Sequence, residues 1–277
     1  MTAVQRREWL QPLRPPYFVT TGTHDRGVSV SVTADASTTV VEMTVRGGWS
    51  QQLGNQVTAG LRRCLAGPCE AVIMDVHGVD DAHGVSAPYW SAAQRTARLG
   101  PAPAHLAFCA PPATTLDHRL RHQDTPAPLV FACMSQARIA MAGKVSRTDR
   151  LQARLAPRST SVRAARDLVA QACATWHLSD LRNDAALIVS ELAANAVDHA
   201  ATEFVVTVFR RGGRLHLAVR DGDTRYPQMG ADLVRPTPAA ERGRGLALIH
   251  AVAAAWGAIP AHGGKVVWAT LSADPRL

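Results

Sequence analysis

Strand-like and helix-like patterns alternate along this 277-residue sequence, and that alternation constrains the fold more than any other feature. Between residues 28 and 143, apolar runs of the strand type include VSVSVTA, EAVIMDVHGV and AHLAFCA. Stretches with helical spacing, such as NQVTAGLRRCLAG and YWSAAQRTARLG, lie between them and end at Gly-Pro. Strands that alternate with helices form a parallel or mixed sheet covered by helices. We therefore predict an α/β domain at residues 28–143.

A short basic segment separates this region from the rest of the chain. Residues 144–158 carry half of the formal net charge of +8 and include a proline. This composition predicts a linker between domains at residues 28–143 and 159–273, with residues 1–27 as an N-terminal extension. Aromatic residues do not interleave with the arginines of the segment, so nucleic-acid binding is a disfavoured alternative.

The second region mixes long helices with an antiparallel hairpin. SVRAARDLVAQACATWHL and the stretch around ELAANAVDHA have helical spacing. EFVVTVFRR and RLHLAVRD flank Gly212-Gly213, which indicates a hairpin. A helix, GRGLALIHAVAAAW, and a strand, GGKVVWATLS, follow. The pattern predicts a second α/β (α+β) domain at residues 159–273.

The stretch ELAANAVDHA places three polar residues along one line of a helix: Glu191, Asn195 and Asp198. An apolar stripe runs beside that line and consists of Leu181, Ala185, Ile188, Leu192 and Ala196. Such a polar row is either a solvated edge of the helix or a row of ligands that faces a cleft.

Two further pieces indicate nucleotide chemistry. Asp221 ends a strand in VRDGDT, and Gly243 and Gly245 lie at the start of a helix in ERGRGLALI. A carboxylate accepts a hydrogen bond from the amine of adenine, and glycines let phosphates approach backbone N–H groups at a helix N-terminus. An amide oxygen suits Mg²⁺, and a carboxylate four residues before it is placed to orient or deprotonate a hydroxyl.

The four segments SELAANAVDHA, VRDGDT, ERGRGLALI and GGKVVWATL resemble the N, G1 and G2 boxes and the last strand of the GHKL ATPase superfamily. The branch they resemble most is that of anti-sigma-factor serine/threonine kinases of the actinobacterial type. The resemblance covers residues 159–273 and implies a Bergerat-type α/β sandwich, with ATP held between a mixed sheet and helices under a mobile lid.

The resemblance also implies roles for individual residues. Glu191 would be the catalytic base and Asn195 the Mg²⁺ ligand. The residues that would contact ATP are Asp221 and Thr270 at the adenine end, Gly222 in the loop, and Arg242, Gly243, Arg244 and Gly245 near the phosphates. The two arginines would neutralise phosphate charge or face solvent. Asp223 stands where the family pattern usually has glycine, and we expect Asp198 to be solvated or paired with an arginine.

The N-terminal region resembles STAS domains, the fold of anti-sigma-factor antagonists, over residues 28–143. The resemblance lies in EAVIMDVHGVDDAHGVSAPYW, where a buried strand leads to an acidic loop and a helix. The family's acceptor hydroxyl is missing, because Ala82 and His83 occupy those positions. Ser86 lies in the first helical turn, where we expect it to cap the helix. This implies a STAS-like module that is not phosphorylated and that docks on the kinase half or on a partner.

Together these features predict an ATP-binding regulator that phosphorylates Ser/Thr of an antagonist and controls a sigma factor by protein binding. The alternative is a nucleotide-dependent scaffold or pseudokinase. The sequence has no signal-peptide pattern and no apolar run of 18 residues, which predicts a cytoplasmic protein without membrane contact. The resemblance leaves a homodimer open.

Overall fold

The computed structural model describes residues 14–19, 23–25, 27–34, 39–100, 103–122, 128–145, 149–211, 213–227 and 244–272. These residues form two compact units. The N-terminal unit contains the described residues from 19 to 145, and the C-terminal unit contains residues 14–18 with the described residues from 149 to 272. Both units combine a sheet with covering helices, so the predicted α/β class is confirmed.

The sheet of the N-terminal unit has the strand order β7-β6-β5-β4-β3, with β2 beside β3. The bounds are β2 (Thr23–Asp25), β3 (Val28–Ala34), β4 (Val40–Gly48), β5 (Ala71–Asp80), β6 (His105–Cys109) and β7 (Leu129–Phe131). The pairs from β4 to β7 are parallel, and β2, β3 and β4 pair antiparallel. The predicted alternation of strands and helices therefore gives a mixed sheet.

Four helices connect these strands: α1 (Gln51–Ala66), α2 (Ala87–Leu99), α3 (Thr115–His122) and α4 (Met134–Ala142). Helices α1 and α4 cover opposite faces, because Met43 lies against Gly60 of α1 whereas the adjacent Glu42 pairs with Arg138 of α4. The α1 and α2 helices are joined by a hydrogen bond of 2.8 Å between Thr58 Oγ1 and Tyr89 Oη.

The sheet of the C-terminal unit has the strand order β11-β12-β10-β9-β8. The bounds are β1 (Tyr17–Phe18), β8 (Arg150–Leu155), β9 (Phe204–Arg211), β10 (Arg214–Asp221), β11 (Ala255–Ala261) and β12 (Gly264–Ser272). All pairs along this path are antiparallel, and the short β1 pairs parallel to β11. The predicted hairpin joins β9 to β10 at Gly213, and Gly212 lies outside the described residues.

Strand β8 differs from the prediction, which placed residues 144–158 in a linker. Residues 150–155 pair in register with β9 instead. Leu151 and Leu155 pack against the core of this unit. The arginines obscured a two-residue alternation of polar and apolar side chains, which is the pattern of an edge strand. The C-terminal unit therefore begins before residue 159, and residues 146–148 lie outside the described residues.

One face of this sheet is covered by α5 (Ser159–Thr175), α6 (Arg182–Asn195) and α7 (Arg244–Val252). A 3₁₀ turn at Ser179–Leu181 leads into α6, and a π-helical turn at Ala196–Ala200 extends it. The stripe predicted on α6 is buried in the core against alternate residues of the sheet, among them Leu217, Val219 and Val267. The helix-covered face is thus the side towards which Leu217 and Val219 point.

Candidate functional site

Helix α6 presents the polar row beside its buried stripe. Glu191 and Asn195 are both half-buried, and Asp198 is exposed in the π-helical turn, as expected for a solvated residue. The carboxylate of Glu191 makes no hydrogen bond or ion pair with any described residue. π-Helical turns often occur at functional sites because they re-aim the side chains at the end of a helix.

Glu191 lies against the first turn of α7. A Cβ atom added at Gly245 would overlap Glu191 Oε2, so the Glu191 carboxylate lies directly against the first turn of this helix. The structure therefore brings Glu191 and Gly245 together. Arg242 and Gly243 lie outside the described residues, and only the backbone of Arg244 is described.

Asp221 ends β10 on the helix-covered face, because it has the same strand parity as Leu217 and Val219. Its exposed fraction is 5%. Its Oδ1 atom accepts hydrogen bonds from Lys265 Nζ and from the backbone N–H of Asp223, both at 2.9 Å. Its Oδ2 atom has no partner among the described residues. Burial raises the pKa of this carboxyl, and the hydrogen bond from Lys265 opposes that rise.

Lys265 is a member of the site that the sequence analysis missed. It is 6% exposed and stands opposite Asp221 in the register of β12 and β10. Its ammonium also donates to the carbonyl oxygen of Asp223 at 3.0 Å. The available signal was a single lysine at the start of the apolar run GGKVVWATLS, where burial is tolerated only with an acidic partner.

The loop after Asp221 is fixed to the residues that follow α6. The N–H of Gly222 donates to Thr202 Oγ1 at 2.9 Å, and a Cβ at Gly222 would lie 3.0 Å from the same atom. Arg225 donates to the carbonyl oxygen of His199 at 3.4 Å and pairs with Asp223 at 3.1 Å. The C-terminal turn of α6 therefore contacts Gly245, and the segment that follows this same end holds the Asp221 loop.

The negative charge of the Asp223 carboxylate is compensated by nearby cations. Hydrogen bonds from Arg225 lower the pKa of its carboxyl to about 2. Lys265 Nζ lies 3.7 Å from its Oδ2 atom. The departure from the family pattern at this position is therefore balanced by two cations.

The structure does not bring Thr270 to this site, which corrects the role implied by the resemblance. Thr270 pairs in register with His216, and its Oγ1 lies 2.8 Å from His216 Nδ1. Its neighbours Ala269 and Leu271 point into the helix-covered core, so Thr270 points to the opposite face. It is also five residues from Lys265 along β12, which corresponds to about 17 Å.

In the N-terminal unit, the loop at residues 81–86 is closed by its own hydrogen bonds. Asp81 accepts from the backbone N–H groups of Val85 and Ser86, both at 2.8 Å, and from the Ser86 hydroxyl at 2.6 Å. The Ser86 oxygen in turn accepts from Trp90 Nε1 at 2.7 Å. Ser86 is fully buried at the N-cap position, but its hydroxyl bonds Asp81 and does not cap the helix as expected. Ala82 and His83 are exposed.

The donor set of the C-terminal unit fits an adenine nucleotide with Mg²⁺. Asp221 Oδ2 is a nearly buried acceptor without a partner among the described residues, and Gly245 leaves backbone free of a side chain. Asn195 offers an amide oxygen of the kind that Mg²⁺ accepts beside phosphate oxygens. Within the described ranges, no cluster of three or more His, Cys, Asp or Glu side chains is arranged to hold a metal.

Comparison with known proteins identifies the C-terminal unit. Residues 155–271 match the family described as the histidine kinase-like ATPase domain. No curated protein matches the sequence significantly. Residues 155–271 are therefore a histidine kinase-like ATPase domain, the ATP-binding class that the sequence segments predicted.

Two solved structures are similar over about half of this chain. The RsbU and RsbW domains of Rv1364c from Mycobacterium tuberculosis match at 22% identity with a TM-score of 0.33, over 45% of this chain and 32% of that one. An anti-sigma factor antagonist from Mycobacterium paratuberculosis matches at 19% identity with a TM-score of 0.31, over 47% of this chain and 99% of that one. This chain thus spans about a third of the first structure. In the part of the chain that the structure describes, every helix is too short or too polar to cross a membrane.

Proposed function

We propose that the C-terminal domain binds Mg²⁺ and ATP and transfers the γ-phosphate to a serine or threonine of an antagonist protein. The observation that carries this proposal is the contact of Glu191 with Gly245 at the start of α7, on the same helix-covered face as Asp221. A candidate base, a glycine at a helix N-terminus and a carboxylate acceptor are the three parts that such a reaction requires.

Each part of the site has a separate task in this proposal. Asp221 accepts a hydrogen bond from the adenine amine through its Oδ2 atom. Gly245 lets the phosphates approach the backbone at the start of α7, where N–H groups and the helix dipole favour negative charge. Asn195 contributes its amide oxygen to Mg²⁺.

Glu191 is the proton acceptor of the proposal. Its carboxylate is half-buried and has no ion pair among the described residues, so it is available to a hydroxyl group of the acceptor protein. When bound, ATP supplies the γ-phosphoryl group and leaves as ADP, while the hydroxyl proton passes to Glu191. Removal of that proton as the phosphorus–oxygen bond forms is the usual contribution of such a carboxylate.

The N-terminal unit supports a regulatory role without phosphorylation of its own. Its resemblance to STAS domains suggests a protein-recognition module, but Ala82 and His83 occupy the acceptor positions. Ser86 is buried and bonded to Asp81 and Trp90, so it is out of reach of a kinase. In this proposal the module docks either on the ATPase domain or on a partner, and the whole protein controls a sigma factor in the cytoplasm by protein binding.

The test is a phosphotransfer assay with ATP labelled at the γ-phosphate and candidate antagonist proteins. Wild type is expected to label an antagonist, and Glu191→Gln is expected to bind ATP but not to transfer phosphate. Glu203→Gln is the matched control, because Glu203 is exposed and pairs only with Arg154 on the surface. Nucleotide binding without transfer to any antagonist would favour the scaffold, and label within residues 28–143 would contradict the role proposed for the N-terminal module.

A further inference from the structure

We propose that Lys265 is a positioning residue that sets the base specificity of the nucleotide site by fixing Asp221 as a hydrogen-bond acceptor. This inference rests on the proposed function and deepens it. Lys265 does not contact the base itself. It acts on the base through the carboxylate of Asp221, whose position and charge it determines.

The geometry fixes which oxygen of Asp221 remains for a ligand. Lys265 Nζ and the N–H of Asp223 both donate to Oδ1, each at 2.9 Å. The paired strands β10 and β12 place Lys265 directly opposite Asp221, and Gly264 lets the Asp221 loop approach closely, because a Cβ at Gly264 would overlap the carbonyl of Asp221. The carboxylate is therefore held by Oδ1 and presents Oδ2.

The donors of Lys265 are used within this loop. An ammonium group has three N–H donors. One goes to Asp221 Oδ1 and one to the carbonyl of Asp223, and the nearest further acceptor is Asp223 Oδ2 at 3.7 Å. Because all three of these oxygens belong to the Asp221 loop, we infer that the ammonium is held towards the loop and does not donate to the base. The site therefore presents an acceptor only.

An acceptor selects a purine that carries an amine at position 6. Adenine donates a hydrogen bond from its amine to Oδ2. Hypoxanthine and guanine carry a carbonyl oxygen at position 6 instead, and the negative carboxylate repels the partial negative charge of that oxygen. A buried polar group that loses its partner in this way weakens binding by roughly 10- to 100-fold. We expect wild type to prefer ATP over inosine triphosphate by this factor.

Removal of the ammonium should reverse part of this selectivity. In Lys265→Met the buried Asp221 loses its cation, and burial without a cation favours the protonated carboxyl. A protonated carboxyl has an O–H group, so it donates a hydrogen bond to the carbonyl oxygen of hypoxanthine. The preference for ATP is therefore expected to fall about tenfold at the acid end of the range and to recover as the pH rises and the carboxyl ionises.

The experiment measures dissociation constants of the full chain for methylanthraniloyl-ATP, with inosine triphosphate as the competitor, from pH 6 to pH 8. Lys144→Met is the matched control, because Lys144 is the other lysine of the sequence and is exposed. Wild type and Lys144→Met are expected to show one preference for ATP across this pH range. Lys265→Arg keeps the positive charge and is expected to keep the preference as well.

The outcomes separate this inference from the proposed function. If wild type does not bind methylanthraniloyl-ATP, the proposed function fails and the role of Lys265 fails with it. If wild type binds and Lys265→Met weakens both nucleotides equally, with no pH dependence of the ratio, Lys265 has a structural role only and this inference alone is wrong. Circular dichroism establishes folding of each variant. If Lys265→Met does not fold, Lys265→Gln replaces it, since its amide still donates to Asp221 without charge, and the same pH-dependent loss of preference is expected.

Discussion

In each unit an aspartate lies at the end of a strand. The two carboxylates differ in whether both of their oxygens accept hydrogen bonds from described residues. Asp81 follows the end of β5 and Asp221 ends β10, and each precedes a loop that contains glycine. Asp81 accepts three hydrogen bonds from Val85 and Ser86, and these bonds involve both of its oxygens. Asp221 accepts two bonds on Oδ1 and none from described residues on Oδ2.

This difference follows from the position in the fold of the groups that donate hydrogen bonds to each carboxylate. The loop after Asp81 leads straight into α2, so the first N–H groups of that region turn back onto the carboxylate and close the loop. The described residues after Asp221, 222–227, form no helix, and the main partner is Lys265 on a neighbouring strand. A strand that ends in aspartate therefore indicates a ligand site only when the local backbone does not satisfy the carboxylate.

The sharpest test of this contrast is Glu191→Gln, because it concerns the chemistry that only the C-terminal unit is expected to perform. We expect phosphotransfer to fall by about 10²- to 10⁴-fold, since the amide does not accept the hydroxyl proton. The dissociation constant for ATP is expected to change less than threefold, as measured by fluorescence titration. Equal loss of binding and transfer would show that Glu191 holds the nucleotide and is not the base.

Asp221→Ala is expected to cause the largest loss of stability. It leaves the buried ammonium of Lys265 without its main anion, and removal of one partner of a buried ion pair costs about 3–5 kcal/mol. The free energy of unfolding of the C-terminal unit, followed by urea titration with hydrogen exchange of its peptides, should fall by that amount. The double variant with Lys265→Met should recover most of the stability but not ATP binding. A stable single variant would mean that Lys265 finds another anion.

Asp81→Ala tests the closed loop in the same way. Three hydrogen bonds to the carboxylate are lost, and the N–H and hydroxyl of the buried Ser86 are left without this acceptor, so we expect a loss of about 1–3 kcal/mol in the N-terminal unit. Hydrogen exchange of peptides from residues 81–99 should report it. The affinity for ATP is expected to stay unchanged. A change in affinity would show that this loop communicates with the nucleotide site.

The sequence indicates candidate residues that depend on local spacing, but it does not contain the strand register that places the others. Glu191, Asn195 and Asp221 lie near the predicted apolar stripe or at a predicted strand end, and patterns of period 3.6 and 2 reveal both features. Lys265 and Thr270 depend on which residue of β10 faces which residue of β12. A single-sequence pattern does not contain that register, so it does not reveal Lys265. The adenine-end position that the resemblance implies for Thr270 likewise does not agree with its pairing with His216.

The burial of His216 predicts that the C-terminal unit loses stability in acid. Burial lowers the pKa of the His216 imidazole to about 3. Between this value and the ordinary pKa near 6.5, the unfolded state binds a proton and the folded state does not. His216 therefore adds no pH dependence above about pH 6.5. Between pH 6.5 and about pH 3 its contribution to stability falls by about 1.4 kcal/mol per pH unit, which is about 2 kcal/mol at pH 5. His216→Gln should remove this slope in urea titrations of the C-terminal unit, whereas His262→Gln, an exposed control, should retain it. An unchanged slope in His216→Gln would assign the acid sensitivity to other groups.

Asp223→Gly is expected to have the smallest effect. It tests whether the loop after Asp221 is held by Lys265 or by the carboxylate of Asp223. Lys265 bonds Asp221 Oδ1 and the backbone carbonyl of residue 223, and glycine keeps that carbonyl. Arg225 loses its pair with Asp223, but this pair lies at the exposed side of the loop. We therefore expect the affinity for ATP to change less than threefold in a fluorescence titration, since an exposed ion pair contributes little. A tenfold loss would show that the Asp223 carboxylate, and not the Lys265–Asp221 pair, keeps the loop open for the base.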